Sequence, residues 1–146
     1  MKKFIPIITV LIFSFTLLCA GNTAPGKLQK DSVNKISASQ LHQMMENKKS
    51  FTLVNVHIPY AGEIPKTDLL IPYNKIMEHL NELPAKDKKI VLYCRSDRMS
   101  TIAAEELADE EYSNIYNLKG GMNAWKAAGY ELIDNPQSKT TRSSRK

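Results

Sequence analysis

The sequence predicts an α/β domain with a central parallel β-sheet and helices on both of its faces. Short β-rich runs alternate with segments whose apolar residues recur at helical spacing. The links between these segments are short, as in sheets built from strand–helix–strand units. The run at residues 89–93 is apolar almost without interruption, which is typical of a strand covered on both faces.

Apolar periodicity and end signals place four helices and four strands in this domain. The predicted helices are residues 38–47, 75–83, 99–110 and 122–128. The predicted strands are residues 51–56, 69–71, 89–93 and 114–118.

Local residue patterns mark the ends of three of these helices. The Ser-x-x-Gln pattern of residues 37–40 has the form of a capping box. Asn74 is expected to cap the second helix, which Pro84 ends. Gly129 is expected to stop the last helix. The third helix is expected to bury three apolar residues, Ile102, Ala103 and Leu107.

The positive charge lies mainly at the two ends of the chain. The formal net charge of the 146 residues is +5, from 20 basic and 15 acidic residues. Without the six basic residues nearest the ends, 14 basic residues remain against the 15 acidic ones. A nearly neutral body has no long-range field to hold a phosphate backbone, so we expect no nucleic-acid partner.

Residues 1–20 have the features of a secretory signal peptide. The apolar run at 4–18 is shorter than the roughly 20 residues that a membrane-spanning helix needs. We expect cleavage after Ala20. Lipid attachment at Cys19 is one alternative, although Leu18 is larger than the small residue expected there, and an uncleaved anchor is another. Each places the domain outside the cytoplasm, in the periplasm or secreted, with membrane contact only through the signal or a lipid.

The segments beside the domain are polar. Residues 21–34 contain Gly and Pro without periodicity and predict a flexible linker. Residues 135–146 are basic and lack apolar residues except Pro136, which predicts a disordered tail. The domain is therefore expected over residues 35–134. The two cysteines, Cys19 and Cys94, exclude a disulfide framework, and no cluster of ligands has metal spacing, so no metal is expected.

Cys94 falls at the carboxyl end of the 89–93 strand, the edge at which ligands bind to parallel sheets. Its loop consists of Arg95, Ser96, Asp97, Arg98 and Met99. Backbone N–H groups of this loop and of the following helix are expected to favour a thiolate at Cys94. The arginines add positive charge, whereas Asp97 opposes them or caps the helix. A small buried cysteine with a structural role is the alternative interpretation.

Two polar residues end the neighbouring strand and are expected at the same cleft. These are Asn55, near the end of the β-rich run at 51–56, and His57, which directly follows that run. For His57, packing behind the site and acid–base work are both open interpretations.

The residues from 90 to 125 stand in a specific order. An apolar strand leads into Tyr-Cys-Arg, an Ala- and Leu-rich helix follows, and the segment ends in Leu-x-Gly-Gly-x-x-x-Trp. This order resembles the second half of the single-domain rhodanese (sulfurtransferase) family. The matching residues are Tyr93, Cys94, Arg95, Ser100, Ala103, Ala104, Leu107, Tyr112, Asn114, Leu118, Gly120, Gly121 and Trp125. Residues 53–57 and 62–65 resemble two shorter patterns of the family's first half.

The resemblance implies a parallel sheet flanked by helices and an activity, sulfur transfer through a persulfide on Cys94. The implied donor is thiosulfate, a persulfide or a polysulfide, and the implied acceptor is a thiol or cyanide. The amides of residues 95–99 would then cradle the anion. Neither a metal nor an organic cofactor is implied.

Several residues depart from the family pattern. Asp97 stands where the family has glycine, and Met99 stands where it has arginine, with Arg98 one position earlier. Asn55 and His57 replace an Asp and an Arg. A less cationic site is expected to bind dianionic thiosulfate less well than a persulfide or polysulfide.

Two rival functions differ in class from a sulfurtransferase. A phosphatase on this scaffold needs Cys-x5-Arg, but the sixth residue after Cys94 is Ser100. A catalytically silent rhodanese-like binding module or sulfur carrier is the remaining alternative. A persulfide adduct on Cys94 would distinguish sulfur chemistry from that alternative.

Overall fold

Five parallel strands form the sheet of this protein. The structure is a computed structural model that describes residues 33–134. The strands are β1 (Val33–Ile36), β2 (Thr52–Asn55), β3 (Leu69–Leu70), β4 (Ile90–Tyr93) and β5 (Ile115–Leu118). Their order is β1-β5-β4-β2-β3, so β4 lies at the centre. Every pairing is parallel, as the sequence predicted.

Two α-helices and one 3-10 segment connect strands, and a third α-helix follows β5. The helices are α1 (Ala38–Glu46), α2 (Arg98–Asp109) and α3 (Gly121–Ala127), and the 3-10 segment is Tyr73–Glu82. The predicted capping box at α1 is confirmed. The Ser37 hydroxyl accepts from the Gln40 N–H at 3.2 Å, and the Gln40 side chain accepts from the Ser37 N–H at 2.8 Å.

Two apolar cores cover the two faces of the sheet, as the predicted fold class requires. In β4, Leu92 faces the core formed with α2 and the 3-10 segment. Val91 and Tyr93 face the core formed with α1 and α3. All four residues of β4 are buried, which explains why the sequence there is apolar without alternation.

The second predicted helix is wrong in type and in its cap. The segment Tyr73–Glu82 is 3-10, follows Pro72, and is broken by a non-helical backbone at His79. Asn74 does not cap it, since Pro72 occupies the capping position and provides no side-chain bond. Long 3-10 runs have poor hydrogen-bond geometry, which accounts for the break.

Ile102 is exposed, contrary to the prediction for the third helix. The buried stripe of α2 consists of Ser100, Ala103, Ala104 and Leu107. These positions have i, i+3, i+4 and i+7 spacing, and Ile102 lies outside the stripe they define. Ala103 and Leu107 are fully buried, as predicted.

The sheet begins earlier in the chain than the predicted domain. Val33 and Asn34, assigned to the end of the linker, pair with Ile115 and Tyr116 as part of β1. The predicted signal peptide, lipidation at Cys19, the rest of the linker and the basic tail lie outside the described residues. Between residues 33 and 134, no helix has the length and apolarity needed to cross a membrane.

Candidate active site

Cys94 directly follows β4 at the carboxyl edge of the sheet. It is 1% exposed and packs in the core on the α2 side. Val56, directly after β2, and Ala103, on α2, are buried in the same core. Because β4 is the central strand, the sulfur is held between elements on both sides rather than at a sheet edge.

The polar partner of the Cys94 sulfur is Ser100. The Ser100 hydroxyl lies 3.5 Å from Cys94 Sγ and donates toward it. Ser100 is fully buried in the first turn of α2, so water does not compete for its hydroxyl. A thiolate accepts such a hydrogen bond more strongly than a thiol, because the bond is charge-assisted.

The loop after Cys94 offers free backbone donors. Within residues 33–134, the N–H groups of Arg95, Ser96 and Asp97 donate no hydrogen bond to protein. Arg98 and Met99 begin α2, where N–H groups have no partner within the helix. None of these five amides donates to Cys94 Sγ among the described residues, so they remain available to an added anion.

Asp97 holds the loop in a left-handed conformation, with φ of +78°. Its side chain does not cap α2 as one interpretation of the sequence expected. The carboxylate instead accepts a hydrogen bond from the Gly120 N–H at 3.2 Å. The Asp97 carbonyl faces the helix, where it accepts from the Thr101 N–H and hydroxyl and lies 3.0 Å from the Ser100 hydroxyl. Asp97 therefore connects the loop to both α2 and the start of α3.

The amino end of α3 is hydrogen-bonded directly to the cysteine loop. The Met122 N–H donates to the Cys94 carbonyl at 2.8 Å, and the Asn123 N–H donates to the Arg95 carbonyl at 3.0 Å. Gly121 makes this approach possible, because a Cβ there would lie 2.2 Å from the Cys94 carbonyl oxygen. The helix thus fixes the backbone on which the sulfur is carried.

The predicted loop side chains have different surroundings. Arg95, Ser96 and Arg98 are exposed, so the two arginines provide charge at the protein surface. Met99 is half-buried and packs against the α2-side core. An arginine at the Met99 position would have to leave this core, which explains why the departure from the family pattern is apolar.

Asn55 lies at the end of β2 but not beside the Cys94 side chain. Strand alternation places Asn55 on the face of Leu53, toward α1 and α3, whereas Cys94 faces α2. The Asn55 amide donates to the Gly62 carbonyl at 3.2 Å, and its oxygen accepts from the His57 N–H at 3.0 Å. This amide fixes the chain after β2. His57 is buried, at 6% exposure.

Tyr93 is buried on the same face as Asn55. Its hydroxyl accepts from the Ile64 N–H at 3.0 Å and lies 2.6 Å from the Thr67 hydroxyl. Burial raises the pKa of Tyr93 well above its ordinary value, despite these two hydrogen bonds. Tyr93 therefore joins the central strand to the segment around Ile64 as a neutral phenol.

The sequence reasoning missed several groups around the cysteine. Ser100 was matched to the family pattern without a role, and Thr101, Asn117 and the close approach at Gly121 were not identified. The contacts of Asn117 with Thr101 and of Gly121 with Cys94 join segments distant in the chain, which no local pattern reveals. In the part of the chain that the structure describes, no three His, Cys, Asp or Glu side chains are grouped to hold a metal ion.

The family model and the related proteins that match this chain indicate the same family. The family model for the rhodanese-like domain matches residues 37–128. A sulfurtransferase of Allochromatium vinosum is 33% identical over 104 residues, which cover 69% of this chain and 95% of that protein. The thiosulfate sulfurtransferase GlpE of Pseudoalteromonas translucida is 26% identical over 102 residues, covering 68% of this chain and 94% of GlpE.

Solved structures show the same fold. The crystal structure of a rhodanese-like domain protein from Staphylococcus aureus superposes with a TM-score of 0.61 at 26% identity. The match covers 70% of this chain and 98% of that protein.

Proposed function

The chain belongs to the rhodanese-like domain family, and from this membership we propose that it transfers sulfane sulfur as a persulfide on Cys94. Sulfur transfer is the activity named for two of the relatives above. The observation that carries the proposal is the position of Cys94. Its sulfur lies beside the buried Ser100 hydroxyl, which can donate to it. The residue directly precedes the loop at 95–97, whose backbone N–H groups have no acceptor in the protein.

The proposed reaction has two balanced steps. The Cys94 thiolate attacks the outer sulfur of thiosulfate, an S–S bond forms, and sulfite leaves with the electron pair of the broken S–S bond. With a persulfide donor the leaving group is a thiolate instead. A cyanide ion or acceptor thiolate then attacks the outer sulfur of the Cys94 persulfide and releases the Cys94 thiolate.

The protein's contribution is to stabilise negative sulfur in both steps. Ser100 donates to Sγ, and the amides of Arg95, Ser96 and Asp97 are proposed to receive the outer sulfur and its charge. The positive end of the α2 dipole acts in the same direction. The fixed backbone around Cys94 keeps these donors in place before the donor molecule binds.

Charge near the loop favours donors with a single negative charge. Arg95 and Arg98 are exposed, whereas the Asp97 carboxylate is kept within the loop by the Gly120 N–H. We propose that this fixed negative charge disfavours dianionic thiosulfate relative to a persulfide or polysulfide. Turnover with thiosulfate and with glutathione persulfide compares the two classes, and a clear thiosulfate preference would contradict the proposal.

Mass spectrometry of the intact protein tests the central step. After treatment with thiosulfate or polysulfide, we expect the mass of one added sulfur, located at Cys94 by peptide mapping. The Cys94→Ser variant is the matched control for nonspecific sulfur uptake, including uptake at Cys19 in a chain that keeps residues 1–20. Absence of the adduct with every donor would favour a silent binding module instead. An adduct that no acceptor removes would indicate a sulfur carrier.

A further inference from the structure

Ser100 has two acceptors for one hydroxyl hydrogen. Its oxygen lies 3.5 Å from Cys94 Sγ and 3.0 Å from the Asp97 carbonyl oxygen. A serine hydroxyl donates only one hydrogen, so it can serve one of these acceptors at a time. The choice decides whether the sulfur receives a hydrogen bond.

The Asp97 carbonyl is already occupied by Thr101. The Thr101 N–H and the Thr101 hydroxyl both lie 2.9 Å from this oxygen. A carbonyl oxygen has two lone pairs, and these two donors fill them. A third donor to the same oxygen is disfavoured, which makes the Cys94 sulfur the alternative acceptor for the Ser100 hydrogen.

Asn117 sets the direction of the Thr101 hydroxyl. The Asn117 side-chain N–H₂ donates to Thr101 Oγ1 at 2.9 Å, so the hydrogen of that hydroxyl remains free for the Asp97 carbonyl. Asn117 lies on β5 and is 1% exposed. Its side-chain oxygen has no hydrogen-bond partner among the described residues. A buried acceptor without a partner costs stability, so a purely structural role does not account for an amide at this position.

We propose that Asn117 and Thr101 are positioning residues that direct the Ser100 hydroxyl hydrogen to Cys94 Sγ. This inference rests on the proposed function, since it takes Cys94 as the nucleophile. The two residues do not touch the sulfur. They act through the Asp97 carbonyl by excluding Ser100 from it, and Ser100 then stabilises the thiolate.

Titration of Cys94 tests this chain of contacts. The ultraviolet absorbance of the thiolate is followed against pH, with the Cys94→Ser variant of the same chain length as the blank. At a pH below the midpoint of the titration, Ser100→Ala is expected to reduce the fraction of Cys94 present as thiolate by about tenfold. The reason is that a hydrogen bond to a charged group is lost. Thr101→Val is expected to shift the titration in the same direction, and Thr101→Ser to keep the wild-type curve.

A double variant separates this role from general packing. If Thr101 acts through Ser100, Thr101→Val adds no further shift in the Ser100→Ala background. A full additional shift there, or an unchanged titration in Thr101→Val alone, would overturn the inference. Should Thr101→Val fail to fold, Asn117→Ala is compared with the same two backgrounds.

The same samples keep the two proposals distinguishable. Persulfide loading from polysulfide is measured beside the titration. A wild-type protein that never loads sulfur defeats the proposed function, whatever its titration curve. Arg95, Asp97, Arg98 and His57, the titratable groups on the loop and after β2, are unchanged in every variant. A shift therefore reports the hydroxyl network.

Discussion

Asp97 has a backbone conformation that favours glycine. Its side chain forms a hydrogen bond that a glycine could not make. Its φ is +78°, while its carboxylate bonds the Gly120 N–H. Asp and Asn tolerate this region better than most residues, because their short polar chains bond locally. The conformation is thus compatible with the residue present, and its charge becomes part of the site.

Replacing Asp97 by Asn isolates that charge. The amide oxygen can still accept from Gly120, and asparagine keeps the left-handed backbone. We expect the ratio of thiosulfate to glutathione persulfide turnover to rise about fivefold, because one negative charge near a dianion is removed. Asp87→Asn, an exposed acid before β4, is the matched control and should leave the ratio unchanged.

Gly121 and Gly129 share a positive φ but differ in their surroundings. A Cβ at Gly121 would meet the Cys94 carbonyl at 2.2 Å, whereas nothing lies within 4 Å of one at Gly129. We expect Gly129→Ala to lower the free energy of unfolding by about 1 kcal/mol and Gly121→Ala by about 3 kcal/mol. Urea denaturation measures both, and equal losses would contradict the steric argument.

At the scale of elements, α1 follows from residues close together in the sequence. Its capping box joins Ser37 and Gln40, so the signal and the contact are both local. The 3-10 segment does not follow in this way. Over ten residues, periods of 3.0 and 3.6 are hard to separate, and the α2 surface packed against the segment lies farther along the chain.

Loss of the capping hydroxyl should weaken α1 measurably. Ser37→Ala removes the acceptor of the Gln40 N–H, and we expect the free energy of unfolding to fall by about 1 kcal/mol. Ser39→Ala, an exposed change in the first turn of the same helix, is the control. A urea midpoint that falls equally in both variants would show that the cap contributes nothing.

The candidate site, like the helices, has parts that the sequence predicts and parts that it does not. Cys94 and its loop lie together in the sequence, so their position at the end of a buried strand was predictable. The Thr101–Asn117 contact and the approach of Gly121 to Cys94 depend on how α2, β5 and α3 meet. No residue pattern encodes those distances, and only the folded chain provides them.

For the whole molecule, one buried phenol makes the free energy of unfolding depend on pH in the alkaline range. Burial raises the pKa of Tyr93 above the ordinary 10.0, so the unfolded chain loses this proton at lower pH than the folded one. The contribution of this raised pKa to the free energy of unfolding is fully present below pH 10. It is lost as pH rises further, by up to about 1.4 kcal/mol per pH unit. Tyr93→Phe should flatten this slope in urea denaturation.

Tyr112→Phe provides the comparison for that slope. Desolvation, with a smaller contribution from Glu110, raises the pKa of Tyr112 as well. Its phenol is less enclosed than that of Tyr93, so its removal should flatten the slope less. An unchanged slope in Tyr93→Phe would contradict the linkage, even if its lost hydrogen bonds lower stability at neutral pH.

The pairing of β1 with β5 joins the first strand of the sheet to the last. Residues 33–36 emerge early during synthesis, yet their partners at 115–118 emerge only after almost the entire sheet has been made. Loop closure over such a distance is slow relative to local pairing. A nascent chain therefore exposes an unmatched strand for most of its production, and a chain stopped before residue 115 has no way to complete its outer sheet edge.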